Sequence, residues 1–289
     1  MIPGKFEYLV PSTVGEAVQM LEEHGYDAKI LAGGQSLIPA MRFRLALPEI
    51  LIDINRIEGL SYIRKVNGHL AIGAMTRESD LEESDLVKGK YALLADTAKI
   101  IADPLVRNLA TVGGNLAHAD PANDHPATML AYNAQVVAVG PDGERVIAID
   151  DFFVDLFENS LADNEILKEI RVPTPTANSG GCYLKIERKV GDYAVAAVAV
   201  QLTLDGDTCT AARIGLTNVS PVPMRANNAE VALAGKSLTE ENIKAAGVAA
   251  AQECDPSSDL RGSVEYKRDL VRVITARAIR TAADRAKGA

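Results

Sequence analysis

Tryptophan is absent from this 289-residue chain, and all aromatic residues together make up only 4%. The stacking platforms on which single-stranded nucleic acids lie are therefore missing. A formal net charge of −9 also removes the basic surface that nucleic acids and anionic membranes require. Cysteine is scarce: Cys182, Cys209 and Cys254 stand far apart and are odd in number, which excludes a disulfide framework and any paired-cysteine metal motif. No stretch approaches the roughly 18 apolar residues of a membrane span. The opening residues, which include Pro3 and Glu7, form no signal-peptide core. A cytosolic chain is expected, one that a larger complex can still hold against the inner face of a membrane. Also missing are a Ser-His-Asp order, paired catalytic carboxylates and the HExxH zinc motif.

The remainder is 47% hydrophobic and 24% charged, an ordinary globular composition with room for two or three compact domains. Its most informative stretch is Ile30-Leu31-Ala32-Gly33-Gly34-Gln35-Ser36-Leu37-Ile38-Pro39, an apolar run that stops at a glycine pair and restarts as a helix. Paired glycines let a ligand approach the backbone with no Cβ in the way. Successive N–H groups at such a bend converge into an anion-binding concavity. No Lys or Arg lies between Ala32 and Ala40, so an anion held here is met by amides and by Ser36 rather than by ammonium charge. That suits a buried pyrophosphate, although most isolated glycine pairs are plain turns. A second copy, Ala110-Thr111-Val112-Gly113-Gly114-Asn115-Leu116-Ala117, repeats the order of apolar residue, Gly-Gly and amide side chain. Two such cradles suggest two ends of one ligand. Neither fits the dinucleotide fingerprint of a doubly wound fold or the P-loop.

Along the chain, Thr13-Val14-Gly15-Glu16 reads as a capping box opening a helix that His24-Gly25 ends. Strands are expected over residues 29–32 and 50–54, giving a small α/β lobe at about 1–58. Residues 62–66 and 69–73, joined by Asn67-Gly68, read as a hairpin. Residues 79–101 read as helices with an apolar stripe of Leu93, Leu94, Ala98 and Ile101. A second hairpin covers 134–139 and 144–148, and a strand covers 166–172. The Pro- and Gly-rich stretch 173–181 is the best linker, which places a boundary near residue 176 and a second lobe at 59–176. Strands at 182–188, 194–204 and 208–216, then helices at 227–234, 239–253 and 266–287, predict a three-stranded sheet with helices in residues 177–289. The fold class is α+β.

The opening Met1-Ile2-Pro3-Gly4-Lys5-Phe6-Glu7-Tyr8, both glycine motifs, Ile101-Ala102-Asp103-Pro104 with Arg107-Asn108, Gly191-Asp192-Tyr193-Ala194 and Ile214-Gly215-Leu216-Thr217-Asn218-Val219 together carry a resemblance. Over nearly its whole length the chain resembles the flavin-binding medium subunit of the molybdenum hydroxylases, the group of xanthine dehydrogenase and aerobic carbon monoxide dehydrogenase, with the latter nearest. Gln35 stands where the carbon monoxide dehydrogenase motif has histidine, so the flavin role carries over while the parent substrate does not. The resemblance implies FAD held noncovalently between a two-lobed region of vanillyl-alcohol-oxidase type, residues 1–176, and a C-terminal domain. It further implies an oxidoreductase subunit that relays electrons from [2Fe-2S] clusters of a small partner subunit to an external acceptor. The resemblance also implies a molybdenum cofactor on a large partner subunit and a dimer of heterotrimers.

The candidate cofactor-binding residues are Ala32, Gly33, Gly34, Gln35, Ser36, Leu37, Ile101, Thr111, Gly113, Gly114, Asn115, Asp124, Lys185 and Tyr193. Each has a plainer reading. Thr111 and Asn115 can stabilise a turn, and Asp124, two residues before Pro126, can cap a helix. Lys185, on one strand face with Tyr183 and Glu187, can be a solvated edge, and Tyr193 can simply pack against its turn. The resemblance moves these residues towards the cofactor. His118 and His125 have no zinc-like spacing to other donors and are left as loop or core histidines. Two rival readings stay open: a self-sufficient flavin oxidoreductase with its own substrate pocket, and a colourless module that binds a non-redox nucleotide.

Overall fold

The computed structural model of the chain describes residues 2–288, so Met1 of the opening motif lies outside the described residues. The first lobe is a three-stranded parallel sheet: β1 (Glu7–Leu9), β2 (Ala28–Leu31) and β3 (Ile50–Asp53), in the order β1-β3-β2. Helices α1 (Val14–His24) and α2 (Leu37–Arg42) supply the crossovers that parallel pairing demands. Thr13 caps α1 by accepting the Glu16 N–H at 3.1 Å, while the Glu16 carboxylate reaches back to the Ser12 N–H at 2.6 Å. Ala17, Val18 and Leu21, at helical spacing, bury against Ile52 and Ile54.

The second lobe is an antiparallel sheet with a run of short helices inserted into it. The hairpin of β4 (Ile63–Val66) and β5 (His69–Gly73) turns at Asn67-Gly68. Helices α3 (Glu78–Glu83), α4 (Asp85–Lys90), α5 (Ala92–Ile100), α6 (Pro104–Arg107), α7 (Val112–Ala117) and α8 (Asp124–Tyr132) follow. The chain then returns through β6 (Gln135–Gly140), β7 (Gly143–Ala148), a small hairpin of β8 (Phe153–Asp155) and β9 (Glu158–Asn159), and β10 (Ile166–Pro173). β10 inserts between the two hairpins, so the sheet order is β4-β5-β10-β6-β7. Pro173 closes β10 and the next strand opens at Ser179, which shortens the expected linker to residues 174–178.

The last region is a sheet of β11 (Ser179–Ile186), β12 (Ala196–Asp205), β13 (Thr208–Thr217) and β14 (Met224–Arg225), in that order, with α9 (Asn227–Leu233), α10 (Glu240–Glu253) and α11 (Val264–Ala286). The expected three-stranded sheet therefore has a fourth strand. β14 is only two residues long, too short to carry an alternating pattern, and it is held by Arg225, whose guanidinium bonds Asp150 and Asn133 of the second lobe. Side chains alternate across β11 and β12, as the strand period of two requires. Tyr183, Ala197 and Ala199 join the core that holds Leu93, Leu94 and Ala127, whereas Cys182, Ala196, Val198 and Val200 join the core that holds Ile274 and Ile279 of α11. One whole sheet face is thus the seam with α5 and α8.

The seam is close enough to exclude a methyl group at one point. A Cβ on Gly215 of β13 would overlap the carbonyl oxygen of Ala127 in α8. Gly215→Ala should therefore lower stability by about 1–3 kcal/mol, the usual cost of overpacking. Gly89→Ala is the control, since nothing lies within 4 Å of that Cβ position in α4 and alanine favours helix by up to about 1 kcal/mol. Urea unfolding of both variants measures the contrast.

Candidate functional site

β2 runs out of ladder at Leu31, and the chain turns through the first glycine motif into α2. Gly34 holds φ at +71°, and Ile38 N–H closes the turn on the Gly34 carbonyl at 3.0 Å. Gln35 folds back so that its amide donates to the Gly33 carbonyl at 3.0 Å. Ser36 is the N-cap residue of α2, yet its side chain makes no capping bond, and Leu37 is the first helical residue. Among the described residues, no intramolecular acceptor engages the N–H groups of residues 33 to 37. Five successive amide donors on a partly exposed loop are therefore open to a ligand.

The second motif departs from the expected loop: Val112 to Ala117 form α7, with Gly113, Gly114 and Asn115 inside it. Thr111 caps this helix, its hydroxyl accepting the Gly114 N–H at 3.1 Å, so its turn-stabilising role is real. Left-handed backbone is needed only at Gly34 among the four motif glycines. Gly33 and Gly113 are small because backbone passes beside them. A Cβ on Gly33 would overlap the Leu109 carbonyl and sit 2.8 Å from Ala110 Cα; one on Gly113 would sit 2.7 Å from the Ala74 Cα and carbonyl oxygen. The Gly114 position lies 3.7 Å from the Ala32 methyl. The two motifs, far apart in sequence, are packed against each other.

Two residues that the sequence did not single out hold this contact. Arg77 donates to the Leu109 carbonyl through one guanidinium nitrogen and to Asn55 Oδ1 at 2.7 Å through another, and Asn55 donates to the Ala32 carbonyl at 2.8 Å. Arg77 thereby braces both glycine loops at once. A third, Asn123, donates to the Asn115 carbonyl at 2.9 Å and is the N-cap residue of α8. Asp124, read as a possible cap, is instead the first residue inside the helix. Asn115 Oδ1 is buried without a hydrogen-bond partner.

Beyond Asn123 the strip continues across the seam. Asp124 is buried, with one carboxylate oxygen accepting from Tyr183 Oη at 2.7 Å and the other from Lys185 Nζ at 3.0 Å. The solvated-edge reading of Lys185 fails, because its side chain is only 2% exposed. Burial raises the Asp124 carboxyl above its ordinary value, with Lys185 and Tyr183 pulling it the other way. Lys185 Nζ also reaches the Ile100 carbonyl at 3.4 Å, beside buried Ile101. Gly191 packs on the Ala102 carbonyl, which brings the Tyr193 turn to the same place. Tyr193 stays 43% exposed beneath the Arg261 guanidinium, 5.5 Å from the ring centroid. Arg261 and Arg188 both pair with Asp192 at 3.0 Å and hold its carboxyl down to about 2. Partial burial, together with Asp120 and Asp124, raises the Tyr193 phenol.

The candidate residues thus form two groups joined through Asn123: residues 32–37 with Thr111, Gly113, Gly114 and Asn115 at one end, and Asp124, Lys185, Ile101 and Tyr193 at the other. His118 lies against Phe157, and His125 is fully buried with its Nε2 at 2.8 Å from Glu78. Nothing in their local sequence foretold that Tyr183 would meet Asp124, 59 residues away, or that Arg77 would meet Asn55, 22 residues away.

Two family models match in succession: the FAD binding domain in molybdopterin dehydrogenase over residues 4–175, and the CO dehydrogenase flavoprotein C-terminal domain over residues 181–282. The chain is 46% identical to the carbon monoxide dehydrogenase medium chain of Hydrogenophaga pseudoflava, covering 98% of both chains. It is 38% identical to the 6-hydroxypseudooxynicotine dehydrogenase complex subunit alpha of Paenarthrobacter nicotinovorans, over 99% of this chain and 97% of the relative. Among solved structures, a carbon monoxide dehydrogenase from Hydrogenophaga pseudoflava lacking the Mo-pyranopterin moiety of its cofactor superposes with a TM-score of 0.96, at 48% identity over 98% of each chain.

The buried Asp124–Lys185 pair gives a pH-dependent expectation. Lys185→Met leaves a carboxylate in the seam with only Tyr183 to bond it, and should cost about 3–5 kcal/mol near neutral pH. The penalty belongs to the charged form, whose pKa is raised in the folded state. It is absent below the unfolded carboxyl pKa of about 4, grows as pH climbs from there towards the raised folded value, and is complete above it. The stability gap between variant and wild type, from urea unfolding, should therefore be smaller at pH 4 than at pH 8.

Proposed function

The chain belongs to the FAD-binding medium subunits of the carbon monoxide dehydrogenase-like molybdenum hydroxylases, and we propose that in such a complex it carries electrons from a partner's [2Fe-2S] clusters to an external acceptor. The partners are a small iron–sulfur chain and a large chain that holds the molybdenum cofactor, in a dimer of heterotrimers. No helix among the described residues is long and apolar enough to cross a membrane. The FAD-binding domain would be residues 1–176 and the C-terminal flavoprotein domain residues 177–289.

Two observations support FAD as the group this site takes. The open amides of residues 33–37 match the oxygens of a pyrophosphate, and the unpartnered Asn115 Oδ1 matches a ligand hydroxyl. When bound, FAD supplies exchange between one-electron and two-electron transfer. The chain's own residues bind and orient. Gly33, Gly34, Gln35, Ser36 and Leu37 would hold the anion by backbone donors, with Ala32, Gly113 and Gly114 leaving room for it. Thr111 keeps α7 capped, so the Asn115 amide stays in place. Asp124 fixes Lys185 and Tyr183, and Lys185, Ile101 and Tyr193 would border the far end of the cofactor. All three cysteines are buried, which leaves no thiol free for a covalent flavin link. The open amide row is the observation that carries the reading.

The parent substrate stays unassigned, because 46% and 38% identity lead to relatives named for unlike substrates. Purified alone and loaded with FAD, the chain should be yellow and should be reduced by dithionite. It should show no flavin reduction with carbon monoxide or an N-heterocycle until the iron–sulfur and molybdenum chains are added. Substrate-driven reduction in the lone chain would favour a self-sufficient flavoenzyme, and a colourless chain that ignores added FAD would favour the nucleotide module.

A further inference from the structure

A cleft of about 430 Å³ opens where the second lobe meets the last sheet, at the N-terminal end of α5, the end opposite Ile101. Its size is that of a small-molecule pocket, which spans roughly 300–1,000 Å³. None of the residues lining it belongs to the candidate cofactor strip. Its walls are fixed. The Asp96 carboxylate accepts from Arg285 at 2.6 and 3.2 Å and from the Tyr183 N–H at 3.3 Å, and Arg285 also donates to the Gly181 carbonyl at 2.6 Å. A Cβ on Gly180 would overlap the Ala282 carbonyl, so α11 lies directly on the strand that lines the cleft.

Two features of the cleft do nothing for the fold. Tyr132, the last residue of α8, lines it at 6% exposure, and its hydroxyl is buried with no hydrogen-bond partner. An orphaned buried hydroxyl is a net cost to the folded chain. The Leu94 and Leu93 amides in the first turn of α5 face its oxygen without closing a hydrogen bond, which leaves the hydroxyl hydrogen for an acceptor from outside the chain. The second feature is charge. Lys88, Lys90 and Arg285 line the cleft with Asp96 as the one carboxylate, a surplus of two positive charges in a chain whose formal net charge is −9. Arg285 is engaged by Asp96, but Lys88 Nζ bonds only the Glu83 carbonyl, at 3.1 Å, and Lys90 forms no ion pair among the described residues. We propose that this cleft binds a small organic dianion, whose oxyanion group accepts the Tyr132 hydroxyl hydrogen and is neutralised by Lys88 and Lys90. The Gln201 amide, on the same lining, is available to the neutral part of such a molecule. The chemistry is unlike that of the cofactor loop, where amides act with no basic side chain among them. Dicarboxylates and phosphate monoesters share the required features.

The site stands apart from the relay reading, and its test is run on the FAD-loaded full chain so that the open amides of residues 33–37 are already filled. Malate and ribose 5-phosphate are titrated separately by calorimetry, with ribose as the uncharged control; the tighter of the two dianions tells carboxylate from phosphate. Tyr132→Phe should weaken that binding by about tenfold or more, the loss of a hydrogen bond to a charged acceptor. The same variant should be at least as stable to urea as the wild type, because the hydroxyl it removes has no partner within the chain. Replacing Lys88 and Lys90 together by Met should weaken binding by roughly 5-fold, with a difference from wild type that shrinks in high salt. No binding of either dianion at tens of millimolar, or ribose binding as well as its phosphate, would overturn the inference. So would dianion binding that Tyr132→Phe leaves unchanged, or that appears only when FAD is absent, since the anion would then occupy another place. Loss of stability in Tyr132→Phe would show that the hydroxyl serves the fold, and would overturn it as well.

Discussion

Backbone passes against backbone where the two glycine motifs meet, and the rest of the site depends on that contact. A methyl group at residue 33 would run into the Leu109 carbonyl, and one at residue 113 into Ala74. With no Cβ at either place, the loop after β2 lies against the segment that opens α7. Arg77 and Asn55 then lock the pair by bonding carbonyls from both sides. What remains unbonded is the inner edge of the first loop, five N–H groups that a globular interior would otherwise have satisfied. The row of open amides is thus a by-product of close packing, in a loop with no basic side chain.

The seam with the last sheet extends the strip. β11 and β12 are buried on both faces, so the Tyr183 and Lys185 side chains are delivered to Asp124 by a rigid strand rather than by a loop. A buried carboxylate held by a tyrosine and a lysine is expensive to desolvate, and such arrangements contribute more to a defined geometry than to stability. Here they tie α8, and through Asn123 the second glycine motif, to the strand that leads into the Tyr193 turn. The open amides and Tyr193 are consequently parts of one arrangement, although Leu37 and Tyr193 stand 156 positions apart in the sequence.

Local signals in the sequence were read well where the physics is local. The Asn67-Gly68 hairpin, the Thr13 cap and the apolar stripe of α5 all depend on residues within a turn or two of each other. The second motif was harder. Two successive glycines disfavour helix, yet α7 forms there because Thr111 caps it and because its Val112 and Gly113 amides bond the Thr76 and Ala74 carbonyls. Of the four motif glycines only Gly34 is left-handed; Gly33 and Gly113 answer to tertiary crowding, which a single sequence does not display. Strand β14 was missed because two residues carry no period. Lys185 looked like a solvated edge because burial across a domain seam cannot be read from strand alternation alone.

The central claim is that the amides of residues 33 to 37 bind the cofactor's pyrophosphate. Heteronuclear NMR of the isotope-labelled chain, titrated with FAD, addresses it residue by residue. The amide protons of Gly33, Gly34, Gln35, Ser36 and Leu37 should move downfield as they acquire charged acceptors, in step with flavin binding. Binding that left these five resonances in place while shifting others would contradict the account.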